Sequence, residues 1–139
     1  MTTQNLIRKT TQAALIATVL NVLLFFIAKA AGVQLQVTQG PNSTTLMDLP
    51  VIAVILATVI PAYFAAGVYA LLQRAGNTGT VIFQVVGWVF LALSMFPVMG
   101  LPGDLSLKLV LALMHIIAGV TILTSLNAGS QTQPAVVRN

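Results

Sequence analysis

"KLVLALMHIIAGVTIL", residues 108–123, is a helix-length run with apolar side chains on every face and a single histidine, His115, in its middle. A helix that is apolar all round is either buried or crosses a membrane, because water would have to cover its apolar flanks. Composition decides between the two. Of 139 residues, 58% are hydrophobic and only 6% are charged, against about 25% charged in an ordinary soluble domain. So few charges cannot cover the surface of the chain, which therefore needs a solvent other than water. The expected fold class is all-α, an integral membrane four-helix antiparallel bundle.

Composition also narrows the chemistry. The formal charge of +4 rests on six cations and two acids, with no basic cluster of the kind that binds nucleic acid. The chain has no cysteine, which excludes disulfides, thiolate metal sites and thiol redox chemistry. One histidine and two aspartates leave little from which to build a metal site or a hydrolytic triad. No metal ligands, catalytic residues or enzyme activity are expected.

A span needs about 20 mostly apolar residues, and four segments meet that length: residues 13–32, 51–72, 81–100 and 107–126. Residues 1–12 are expected as a cytoplasmic lead segment, 33–50 as an outer loop, and 127–139 as a flexible cytoplasmic tail. The breaks have local chemistry. Pro50 suits the first turn of the second helix, where a missing N–H costs nothing. Gly76 and Gly79 stop that helix and allow a tight turn, and Asp104 is placed to cap the fourth. In the outer loop "VQLQVTQ" alternates with period two, which suits a short strand or hairpin arm.

The first span has a rival reading as a signal peptide, with Arg8 and Lys9 as its basic region and Ala28-Lys29-Ala30 resembling a cleavage site. Its apolar run is too long and a lysine inside the site is unusual, so a true span is expected. Arg8, Lys9, Arg74 and Arg138 fall on one side, Lys29 and Lys108 on the other. The positive-inside rule then puts both termini in the cytoplasm, and Asp48 and Asp104 stand near the two outer lysines.

At about 1.5 Å per residue, Asn21, Thr58, Ser94 and His115 reach similar depths in the outer half. Polar groups at such depth usually face the bundle, so these four are a candidate polar or ligand layer. His115 has two readings there, as a ligand to a metal or pigment and as a neutral imidazole bonded to Asn21 or Ser94. Tyr63, Tyr69 and Trp88 lie away from the interfaces and are candidate pocket aromatics, expected to point inward. Pro61 should kink the second helix. Ala65, Ala66, Gly67 and Ala70 offer a small-residue surface for close helix approach.

The order of features carries a resemblance: "AKAAGV" closing the first span, "YALLQRAG" the second, "LSMFP" the third, and "LVLALMHIIAGVTIL" in the fourth. Together they resemble an uncharacterised bacterial family of four-helix membrane proteins, domain of unknown function family 6069. Ser94 to Pro97 and the Met114-His115 pair are its most specific pieces. The resemblance implies a bundle in a bacterial cytoplasmic membrane and brings no activity, substrate or site residues with it.

Three roles remain. The first is a non-enzymatic accessory or assembly subunit of a larger membrane complex, partnered by other membrane subunits or by copies of itself. The alternative is a binding module for a lipophilic ligand or pigment, such as a quinone, carotenoid, haem or chlorophyll. Third is a small oligomeric transporter or channel, which four helices and no intramembrane acid make the weakest.

Overall fold

A computed structural model describes residues 2–38, 43 and 45–127. The chain is mostly helical: α1 (Thr3–Ala30), a hairpin of β1 (Gln36–Thr38) and β2 (Leu46–Asp48), α2 (Val51–Leu72), a 3-10 turn (Gln73–Ala75), α3 (Gly76–Leu93), α4 (Met95–Gly100) and α5 (Leu105–Asn127). Three helical stretches, Thr3–Ala30, Val51–Gly100 and Leu105–Asn127, are long and apolar enough to cross a membrane.

Helix α1 starts ten residues earlier than expected, so residues 3–12 are not a separate lead segment. Thr2 caps it by accepting from Asn5 N–H at 3.4 Å, and Leu6 and Thr10 are buried. Burial of that first face outweighs the pull of Arg8 and Lys9 toward solvent. The expected tail begins at Asn127, the last residue of α5, and the rest of it lies outside the described residues. Pro50 stands immediately before α2 in an extended conformation, its carbonyl accepting from Ala53 N–H at 2.9 Å. Helix α2 runs through Pro61 without interruption.

The turn after α2 depends on glycine. Gly76 has φ +64°, a left-handed conformation that costs a residue with a Cβ. Gly79 presses on the turn so closely that a side chain there would run into the Leu72 carbonyl. The third expected span differs most from the structure. It begins at Gly76 and breaks at Ser94, before α4. Pro97 explains the break: it cannot donate to the carbonyl four residues back, Leu93 O, and its ring crowds that position.

Contacts fix the directions. Asn21 meets Thr58 and Thr11 meets Tyr63, so α1 and α2 are antiparallel. Gln84 reaches Leu123, Gly87 abuts Leu123 and Gly119 abuts Leu91, so α3 and α5 are antiparallel too. Small residues make these approaches possible: Ala13, Ala17 and Ala62 are at most 1% exposed. One core cluster gathers Leu6, Tyr69, Phe83 and Leu126 at one end, and another gathers Phe25, Leu35, Val54 and Leu107 at the other. The expected strand arm is present, with Val37 paired to Met47 in an antiparallel hairpin.

The outside remains apolar. Phe64, Phe90 and Phe96 are each more than 70% exposed, and no more than a third of each apolar stretch is buried. Such a surface is far larger than the apolar patches of soluble monomers and suits a hydrocarbon solvent.

Candidate functional site

Only two of the four residues of the expected layer meet. Asn21 and Thr58, each 2% exposed, form the pair at its centre. Asn21 Nδ2 donates to Thr58 Oγ1 at 3.0 Å, and Thr58 Oγ1 donates to Val54 O at 2.8 Å. Thr58 spends its only proton on its own helix, so it can only accept from Asn21. That fixes the amide orientation and leaves Asn21 Oδ1 unpartnered, as is the nearby buried Thr18 Oγ1. Thr18 was not singled out from the sequence, although its i−3 spacing from Asn21 puts both on one face.

Ser94 and His115 stand apart from that pair. By the α3–α5 register, Leu91 opposite Gly119 would bring residue 95 opposite His115, one turn further out. The helix breaks there instead. Ser94 Oγ folds back onto Leu91 O at 2.7 Å, and His115 is exposed, its Nδ1 bonded to Leu111 O of its own helix at 2.9 Å. The expectation of an inward-facing His115 is therefore corrected: α3 ends before it can cover the ring.

The His115 bond has a chemical consequence. A carbonyl only accepts, so Nδ1 carries the proton, and Nε2 of the exposed ring has no partner among the described residues. Metal-binding histidines are oriented by this same arrangement. Among the described residues no three His, Cys, Asp or Glu side chains gather to hold a metal ion.

Of the three expected pocket aromatics, Tyr69 alone is inward, 1% exposed and edge-on to Phe83 with centroids 5.1 Å apart. Tyr63 is 47% exposed, yet its hydroxyl lies 2.9 Å from Thr11 Oγ1. Trp88 is 43% exposed, one turn from both Gln84 and Leu91 on the flank of the α3–α5 seam. The inward expectation for Tyr63 and Trp88 is corrected: on an all-apolar helix the rings of outward aromatics meet an apolar solvent, and the Tyr63 hydroxyl keeps a partner in Thr11. The small-residue surface on α2 is real at Ala66, which is buried, but Gly67 faces open space.

Two concavities stand out, and none of the seven expected residues lines either. One, about 460 Å³, lies between α1 and α5 beside Lys9, Gln12 and Ser125. The other, about 230 Å³, lies under the hairpin beside Phe25, Lys29 and Asp48. Lys29 and Lys108 do not pair with Asp48 and Asp104. Among the described residues no Lys or Arg nitrogen comes within 4.0 Å of a carboxylate oxygen, and Asp48 Oδ1 accepts instead from Gln36 Nε2 at 3.1 Å.

Compared with known proteins, the chain matches no curated protein and no solved structure. A model of a family of unknown function, DUF6069, matches residues 1–132. With nearly its whole length matched, the chain belongs to the DUF6069 family.

Proposed function

We propose that this chain is a four-pass protein of a bacterial cytoplasmic membrane, with both termini cytoplasmic. On this reading it serves as a non-enzymatic accessory or assembly subunit of a larger membrane complex. Four passes are favoured by length. The Val51–Gly100 stretch holds 50 residues, about 75 Å as one straight helix, against a hydrocarbon core of about 30 Å. The 3-10 turn and Gly76 give the point at which it folds back. The distribution of Lys and Arg supports the orientation.

The observation that carries the accessory role is the exposed His115 ring, whose Nε2 lone pair has no partner among the described residues. An unpaired acceptor within hydrocarbon costs free energy, and polar groups at that depth usually find a partner. A hydroxyl or N–H donor from a neighbouring subunit, seated over Ala112, His115 and Ile116, meets that need. A photo-crosslinking residue at Ile116, 45% exposed, tests it in native membranes. An adduct with another polypeptide is expected; adducts with lipid alone would overturn the reading.

The same lone pair favours a second reading, in which His115 is an axial ligand to the metal of a tetrapyrrole pigment bound on the outside of the bundle. Residues of the chain would orient such a group through the Leu111–His115 bond. An absorption band in gently purified protein that His115→Leu removes would support this over a protein partner.

A further inference from the structure

The cavity under the hairpin holds two opposite charges that do not neutralise each other. Lys29 sits in the last turn of α1 and Asp48 ends β2, and both line the same 230 Å³ space. Gln36 holds Asp48 through Oδ1. Among the described residues, Asp48 Oδ2 and the Lys29 ammonium have no protein partner.

Both side chains are exposed at the cavity's rim, and backbone bonds fix the frame around them. Val33 N–H donates to Ala28 O at 3.0 Å and Leu49 N–H to Leu35 O at 2.7 Å, which ties the α1 end to the base of the hairpin. Phe25 and Leu35, at 4% and 7% exposed, give the cavity an apolar floor. Phe26, one turn below Lys29, is 54% exposed, and Val19, seven residues back on the same face, is 50% exposed, so an apolar track leads down α1.

We propose that this cavity binds a phospholipid whose headgroup carries both a phosphate and a primary ammonium. The phosphate meets Lys29 and the ammonium meets Asp48 Oδ2, while an acyl chain lies along Phe26 and Val19. An anionic headgroup without an ammonium would leave Asp48 unmatched, and a quaternary ammonium offers it no N–H to donate. The volume falls below the roughly 300–1,000 Å³ of pockets that enclose whole drug-sized ligands, so a headgroup fits and the tails stay outside. The proposal rests on the four-pass reading, which puts the end of α1 at the outer headgroup layer.

The test uses the full chain, delipidated in mild detergent, with native mass spectrometry of retained phosphatidylethanolamine, phosphatidylcholine and phosphatidylglycerol. Phosphatidylethanolamine should be retained about tenfold better, the worth of one charge-assisted contact. Asp48→Asn keeps the acceptor for Gln36 and should erase that preference, whereas Lys29→Gln should weaken all three lipids. The double exchange Lys29→Asp with Asp48→Lys should recover part of the preference. Equal retention of the three lipids, or a preference that survives both single variants, would overturn the site. Soluble phosphoethanolamine binding as well as the lipid would overturn the lipid assignment in favour of a free zwitterion. Cysteine labelling at Thr45 and Asn77 checks the four-pass reading separately, so failure of the topology and failure of the site are distinguishable.

Discussion

Asn21 and Thr58 join α1 to α2 by one hydrogen bond of 3.0 Å in which the roles are forced, since the threonine proton is already given to Val54 O. The bond lies between the two apolar clusters and is a buried polar tie of the bundle. Replacing Thr58 with Val strands a buried amide donor, which should cost about 1 kcal/mol or more. Adding Asn21→Leu removes that donor and the unpartnered Oδ1 together. The double variant should therefore be less destabilised than the sum of the singles, with a coupling of about 0.6 kcal/mol. Additive losses in unfolding from detergent would show that the bond contributes nothing.

Glycines on this chain should divide sharply. Gly67 faces open space, so Gly67→Leu should change stability by less than about 0.5 kcal/mol, contrary to the overpacking that its sequence context suggests. Gly119→Leu, against Leu91 in the α3–α5 seam, should cost about 1–3 kcal/mol. Thermal unfolding of both variants decides it, and equal effects would contradict the packing described for α2 and α5.

His115→Leu should leave the fold of the isolated chain intact, within about 0.5 kcal/mol, because the residue is exposed and its hydrogen bond is to its own helix. Its effect should appear in what co-purifies. A loss of stability above about 2 kcal/mol in detergent would place the ring inside the bundle after all.

Topology has a direct measurement. Single cysteines at Thr45 and Asn77, in a chain with none of its own, should label from opposite sides of sealed vesicles, with Asn77 cytoplasmic. Labelling of both from one side would refute the antiparallel four-pass arrangement.

The sequence by itself determined that the chain is helical and apolar, where α2 starts and ends, and that the outer loop contains a strand arm. These follow from run length, from Pro50 and Gly76, and from period-two alternation, all of which act locally. The inward-facing residues were only partly legible. Asn21, Thr58 and Tyr69 were singled out and are buried, while Ser94, His115 and Trp88 were singled out and are not part of the core. A helix that is apolar on all sides has no polar stripe to mark its outer face, so its rotation is not encoded by hydrophobicity. Only the tertiary structure decided it, through close approach of the alanines at 13, 17 and 62 and through the break at Ser94. Those contacts select one rotation because short side chains let backbones approach, and the break leaves His115 uncovered because α3 no longer extends over it.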